Sequence, residues 1–519
     1  MESANSSPAS PTMSSNTNGL SSATLPSLRA KSAIAAAVCI ASAVLVWFGN
    51  GLDPWWPLMW LAPLPLFWFA LRSRGWVAAL VAFTAWLAGS VSLLPYFLSL
   101  QTPFVGWLAD FGGLSLSVAL GVLIFRALVL RGAIWAGMMA PGAVWVALDW
   151  ARYCWTPHGT AADLAYTQLQ FLPFLQLASI TGPWGMTFLL QLVPAAAAVA
   201  LHLRKSAPRH ALRVAATIGG VLLVVLGYGT FRLLEPVPRQ TVKVGLIASD
   251  SPENDFIVNA GADAQRLLTA YAAQASQLAA RGAQVIVLPE KIANVRDSDI
   301  PVGDPLFQAI ANASGTTIVV GEQHISPAAA GPLKYNRARV YRPQTAPVTY
   351  DKEHMLPPFE SNLTRGSEKV AFNRNGTQLG VAICKDMDFT SMGLAYANLG
   401  AQLMLVPAWD FNSDRNWHGH MAIMRGVESG FSLARVAKNG YLTVSDDRGR
   451  VVAEVRSDAA PFATLLADVP VEHSYTLFQR WGNAPAWAAT ALLAWILTRL
   501  ASLTLRPGRR PMSAAGGIT

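Results

Sequence analysis

The chain has 519 residues, of which 52% are hydrophobic and 13% charged, with a formal net charge of +9. Soluble domains carry about a quarter charged residues, so a large part of this chain belongs in lipid. The basic residues flank apolar runs and are not interleaved with aromatics, which excludes a nucleic-acid surface. The three cysteines, Cys39, Cys154 and Cys384, show no disulfide framework.

Residues 1–28 are rich in Ser, Asn, Thr and Pro and read as a disordered cytoplasmic tail, without the basic start of a cleaved signal peptide. A seven-span transmembrane bundle follows over 29–233, from apolar runs near 33–49, 55–71, 76–98, 113–130, 133–150, 180–202 and 214–232. A C-terminal transmembrane helix at 484–504 and a cytoplasmic tail at 505–519 complete the expected set of about eight spans. Pro57, Pro63 and Pro65 interrupt the second run, and Asp149 and Arg152 at the end of the fifth read as an interfacial ion pair.

Basic residues mark alternate connections: Arg29 and Lys31, Arg72 and Arg74, Arg126 and Arg131, then Arg204, Lys205, Arg209 and Arg213. The intervening short connections carry Asp53 and Asp110. The positive-inside rule then places both termini in the cytoplasm and residues 236–480 outside it. Few ionisable groups lie inside the spans, which argues against a transporter.

Residues 236–480 alternate short β-branched runs with helical patterns, as an α/β domain does. Predicted strands are Val242–Ala248, Val285–Leu288, Thr316–Gly321, Ala338–Arg342, Val348–Asp351, Leu379–Ile383, Leu403–Val406, Tyr441–Ser445 and Val451–Val455. Predicted helices are Ala262–Arg281, Pro305–Ala313, Ser391–Asn398 and Trp417–Ser429. Three strands end in chemistry, at Glu290, Lys352 and Cys384. Brought to one rim, they supply a thiol nucleophile, an ammonium that favours its thiolate and an oxyanion, and a carboxylate base. That trio is the equipment of covalent acyl transfer through a thioester. His354 and His418 offer a competing Cys–His arrangement, and no Cys or His spacing suggests a metal or other cofactor.

The motifs also carry a resemblance. Pro289-Glu290, the run from Tyr350 to Glu360, and Gly380-Val381-Ala382-Ile383-Cys384 resemble the Glu, Lys and Cys blocks of the nitrilase (carbon–nitrogen hydrolase) superfamily. Seven spans before such a domain and one after resemble the apolipoprotein N-acyltransferase family. So do Ala178–Gly185, His418–Glu428 and Ser432–Arg435. The resemblance implies an αββα sandwich over 241–470, with Glu290 as general base, Lys352 as oxyanion and thiolate stabiliser, Cys384 as acylated nucleophile and Glu360 in support.

It further implies a phospholipid acyl donor, a diacylated apolipoprotein whose N-terminal cysteine amine is the acceptor, no cofactor, and a monomer in a bacterial inner membrane with the catalytic domain on the periplasmic face. Three blocks depart from the family pattern: Lys385-Asp386 stands for Tyr-Glu, Pro358-Phe359-Glu360 for Phe-Gly-Glu, and Val406-Pro407-Ala408-Trp409 for Asn-Asp-Ala-Trp. Lys385 either lowers the thiol pKa or faces solvent, and Trp409, Phe411 and Trp417 either form a lipid-facing lid or pack. The alternatives are a membrane-tethered amidase, an N-acyltransferase with another amine acceptor, and an inactive scaffold or lipid-binding homologue.

Overall fold

The computed structural model describes residues 28–250, 256–329 and 331–505. Apart from Leu28 and Leu505, the two predicted tails lie outside the described residues.

Among the described residues six helices are long and apolar enough to cross a membrane: Arg29–Gly49, Gly75–Ser99, Phe104–Leu130, Pro183–Leu203, Pro208–Leu234 and Ala484–Thr504. In lipid a helix satisfies its own backbone groups, which is why these Leu, Ala and Val runs adopt it. The other two predicted runs take different forms. The second is a pair of short helices, Trp56–Leu61 and Leu64–Ala70. Pro63 and Pro65 supply no amide hydrogen to a continuing ladder. The fifth lies within Ile134–Trp155, whose last turns carry Asp149 and Arg152 paired at 3.2 Å.

Between that helix and Pro183 the chain makes short turns, with Leu164–Gln168 buried throughout. These turns lie under the α/β domain. Thr160 contacts Asp388 there, and the Gln176 side chain donates to the Arg448 carbonyl at 2.9 Å.

The α/β domain contains two sheets. The first is built from β1 (Thr241–Ala248), β2 (Val285–Val287), β3 (Asn294–Arg296), β4 (Thr317–Ser326), β5 (Leu333–Tyr341), β6 (Val348–Asp351) and β13 (Ala463–Pro470), in the order β13-β1-β2-β4-β5-β6 with β3 beside β4. The second, in the order β12-β11-β10-β9-β8-β7, uses β7 (Val370–Arg374), β8 (Thr377–Val381), β9 (Leu403–Trp409), β10 (Ser432–Lys438), β11 (Tyr441–Ser445) and β12 (Val451–Arg456).

The central pairs β1–β2, β2–β4, β8–β9 and β9–β10 are parallel and the edges antiparallel. Parallel strands covered on both faces read as unbroken apolar runs, as β2 does. The sheets pack face to face through β1 on β10 and β2 on β9. Helices Ala262–Ala280 and Ile300–Ser314 cover the first sheet, and Thr390–Asn398 and Arg415–Ser429 lie with the second.

Four strands escaped prediction: β3, β7, β10 and β13. In β10 the charges of Arg435 and Lys438 mask an otherwise apolar strand, yet every residue of it is buried. One correction bears on the site. The ladder of β8 stops at Val381, two residues before the predicted end, so Cys384 opens a 3-10 turn, Cys384–Asp388.

Candidate active site

Glu290, Lys352 and Glu360 lie together in the α/β domain, all at most 2% exposed. Glu290 follows β2 by three residues and Lys352 follows β6 directly. The Glu290 amide donates to the Ala408 carbonyl of β9, which ties this loop to the second sheet. Gly321 makes room for it, since a Cβ there would lie 2.1 Å from the Pro289 carbonyl oxygen.

The Lys352 ammonium donates to Glu290 Oε1 and to Glu360 Oε2, each at 2.9 Å. Asn336 Nδ2 donates to Glu290 Oε1 and to Glu360 Oε1, the latter at 2.7 Å, and Lys291 Nζ donates to Glu360 Oε1 at 2.6 Å. Burial opposes the Lys352 charge, but Glu290 and Glu360 outweigh it and hold the ammonium well above its usual range. Burial likewise opposes the Glu360 charge, yet Lys352 and Lys291 hold that carboxyl well below the usual range. Glu360 is thus a permanent counter-ion. Glu290 Oε2 is buried with no hydrogen-bond partner among the described residues. A buried carboxylate oxygen without a donor is an acceptor open to a proton.

Cys384 is half-buried and has φ of +44°, a backbone region that non-glycine residues enter under strain. Asp386 holds the turn in place. Its carboxylate accepts from the Ile383 amide at 3.0 Å, the Tyr350 hydroxyl at 2.7 Å and the His354 amide at 2.8 Å. The thiol faces the Trp409 carbonyl oxygen at 3.7 Å. Burial pushes the thiol well above its usual range and Glu290 adds to this, while Lys352 and Arg435 pull against it. The resting sulfur therefore keeps its proton beside a carboxylate and two cations.

The other predicted residues have definite places. Lys385 does not face solvent: it is 4% exposed and donates to Asp388 Oδ2 at 3.1 Å. The Trp409 ring is covered by the Lys438 ammonium at 3.7 Å. Phe411 meets Phe359 at 5.4 Å, and Trp417 packs edge-on against Tyr96 of the bundle at 5.2 Å. The competing histidines are occupied elsewhere. His354 stacks on Phe389 at 3.7 Å, and His418 lies 3.0 Å from Asp414. Among the described residues no group of three or more His, Cys, Asp or Glu is placed to hold a metal ion.

Sequence reasoning missed Lys291, Asn336 and the buried pair Arg435–Asp410, joined by two hydrogen bonds of 2.9 and 2.6 Å. Lys291 carried a signal, as a lysine next to Glu290, whereas Asn336 sits in the largely polar strand β5 and Asp410 just beyond β9.

A cavity of about 370 Å³ lies where the domain meets the bundle. Its wall includes apolar side chains such as Phe97, Leu100, Phe111 and Leu114, and polar ones such as Arg152, His158, Lys385 and His418. Burial pushes His158 down to about 4, and Lys385 and Arg152 both add to that. The cavity thus offers both apolar and polar lining, the latter including the residue that follows Cys384.

Comparison with known proteins agrees with this division of the chain. Residues 42–196 match the apolipoprotein N-acyltransferase N-terminal domain, and residues 257–473 match carbon-nitrogen hydrolase. An apolipoprotein N-acyltransferase of Geobacter metallireducens is 27% identical over 473 residues, covering 84% of this chain and 89% of its own. One from Caulobacter vibrioides is 25% identical over 471 residues, covering 82% and 85%. A solved amidase from Nesterenkonia sp. aligns with 48% of this chain and 98% of its own at 22% identity and a TM-score of 0.39. With one match over the bundle, another over the α/β domain, and relatives matched along most of their length, the chain belongs to the apolipoprotein N-acyltransferase family of the nitrilase superfamily.

Proposed function

We propose that this membrane enzyme N-acylates lipoproteins by a two-step transfer through Cys384. Glu290 Oε2 takes the thiol proton, and the sulfur attacks the ester carbonyl carbon of a membrane phospholipid. Lys352 meets the negative charge that builds on the carbonyl oxygen. The C–O bond breaks, the proton passes from Glu290 to the leaving alkoxide, and a lysophospholipid departs from a Cys384 thioester. The second substrate is the α-amine of the diacylglyceryl-modified N-terminal cysteine of an apolipoprotein. Its nitrogen attacks the thioester, Glu290 accepts the amine proton, the C–S bond breaks and the thiol is restored. Glu360 keeps Lys352 charged and in place as a positioning residue.

The observation that carries this reading is the cavity shared by bundle and domain. It is apolar along Phe97, Leu100, Phe111 and Leu114, and its wall includes Lys385, the residue next to the nucleophile. A soluble amide has no need of such a chamber, whereas an acyl chain drawn from the bilayer does. Trp417, Phe411 and Phe359 stand at the junction as a cover for the acyl chain. The reading places the α/β domain on the periplasmic face of the inner membrane, on the distribution of basic connections, and takes the enzyme as a monomer.

Intact mass spectrometry after exposure to phospholipid tests it. Wild type is expected to gain one acyl mass, discharged by a diacylated lipopeptide, and Cys384→Ser to gain none. Free fatty acid released without acylated peptide identifies water as the acceptor and overturns the transferase reading. An unmodified wild-type cysteine under turnover sinks the thioester.

A further inference from the structure

The end of the bundle remote from the α/β domain carries a second cavity, of about 410 Å³. Its wall joins the start of the first helix (Lys31, Ser32, Ile34, Ala35) to the end of Leu64–Ala70 (Trp68, Phe69), the turn after it (Arg72, Ser73, Arg74) and the start of the next helix (Trp76, Val77). The opposite end of that first helix reaches the domain, where Asp53 accepts from Asn416. A helix of 22 residues separates the two ends by about 33 Å.

Charge is segregated along that axis. Between residues 28 and 235 the acidic side chains are Asp53, Asp110, Asp149, Asp163 and Glu235. Each belongs to the domain end: Asp110 lines the cavity that Lys385 also lines, Asp149 pairs with Arg152 of the same wall, Asp163, in the turns under the domain, accepts from Thr187, and Glu235 pairs with Arg448. The remote cavity has three cations, Lys31, Arg72 and Arg74, and no acid in its wall. None of the three has a carboxylate partner among the described residues.

The site is built as well as charged. Arg72 lies over the Trp68 ring at 4.4 Å and donates to the Trp68 carbonyl at 2.8 Å, so its guanidinium is held with other donors unspent. Arg126 donates to the Ser73 carbonyl at 2.9 Å and fixes the turn. Arg204, from a neighbouring helix end, adds to the positive field at Arg72.

We infer that this cavity binds the headgroup of an anionic phospholipid. Its phosphate oxygens accept from Lys31, Arg72, Arg74 and the Ser32 hydroxyl, while an acyl chain runs along Ile34, Ala35, Trp68 and Val77. Uncompensated basic side chains at one membrane face attract anionic lipid with roughly 1 kcal/mol each, about fivefold in affinity. The apolar part of the wall at membrane depth selects a lipid over free phosphate. This site is remote from the acyl-transfer chemistry and stands independently of it.

The test uses full-length protein in nanodiscs of equal phosphatidylglycerol and phosphatidylcholine, released for native mass spectrometry. Wild type is expected to retain one phosphatidylglycerol. The variant Lys31→Gln/Arg72→Gln/Arg74→Gln is expected to lose it, with retention falling about fivefold per charge removed. A control with the same charge change at exposed positions, Lys205→Gln/Arg209→Gln/Arg213→Gln, is expected to retain the lipid. Lys31→Arg, which keeps the charge, is expected to behave as wild type, and undiminished peptide acylation shows that each variant is folded. Equal retention by the two triple variants, equal loss by both, or displacement of the lipid by millimolar glycerol phosphate would each overturn the proposal.

Discussion

Thr160, in the connection between Ile134–Trp155 and Pro183–Leu203, reaches the carbonyl oxygen of Asp388 twice, through its hydroxyl at 2.7 Å and its amide at 3.0 Å. Asp388 closes the turn that Cys384 opens, so the membrane-side loop holds the far end of the nucleophile turn. Gly159 permits the approach: it has φ of +57°, and a Cβ there would stand 2.6 Å from the same oxygen. Tyr166 bonds the Thr160 hydroxyl, and Arg425 bonds the Tyr166 hydroxyl at 2.7 Å, which extends the link into helix Arg415–Ser429.

Thr160→Val is therefore expected to cost about 1 kcal/mol, the worth of one hydrogen bond, and to lower kcat severalfold with KM for the lipopeptide unchanged. Thr160→Ser restores both. Thermal unfolding in detergent and steady-state acylation measure it. An unchanged kcat in the valine variant would disconnect the loop from the nucleophile.

The environment of Cys384 makes a signed prediction about its thiol. Glu290 raises the thiol pKa and Lys352 lowers it. In Glu290→Gln the midpoint of pH-dependent iodoacetamide alkylation moves to lower pH. In Lys352→Met it moves to higher pH. Both variants lose acyl transfer, by about 10²–10⁴-fold for the glutamate, as removal of a general base does. Midpoints that move together would contradict the charge arrangement.

Arg435 and Asp410 form a buried ion pair on β10 and at the end of β9. Arg435→Met leaves Asp410 charged and unpaired in the core, at a cost of about 3–5 kcal/mol. The double variant Arg435→Met/Asp410→Leu recovers most of that loss, because an apolar pair of similar volume needs no partner. Unfolding midpoints for the four members of the cycle check this. Equal destabilisation of single and double variants would show that volume, not charge, decides the position.

His418 lies among Asp414, Asp388 and the Tyr96 hydroxyl. Burial works against its proton, but Asp414 and Asp388 prevail and raise it to about 10. A folded pKa above the unfolded value, about 6.5 for histidine, contributes stability that is complete below pH 6.5 and is lost as pH rises to about 10. His418→Gln is expected to unfold at a lower temperature than wild type at pH 7 and to show a flatter decline between pH 7 and 10. A wild-type decline no steeper than the variant's would remove His418 from the account.

The sequence by itself determined the two-part architecture, because hydrophobic runs and β-branched runs answer to local periodicity and to the solvent around them. It also named Glu290, Lys352, Cys384 and Glu360, whose neighbouring motifs are contiguous in the chain. Tertiary structure alone decided what those residues touch. Lys352 and Glu290 are sixty-two positions apart, yet their contact helps hold Lys352 charged, and no local pattern encodes a contact between the ends of two distant strands. Buried polar residues such as Asn336, Arg435 and Asp410 look like surface residues in sequence, since only packing reveals that each has a partner. Lys385 shows the same limit from the other side. Two readings were open for it next to the thiol, and its burial in a pair with Asp388, in a turn gripped by Thr160, removes the solvent-facing one.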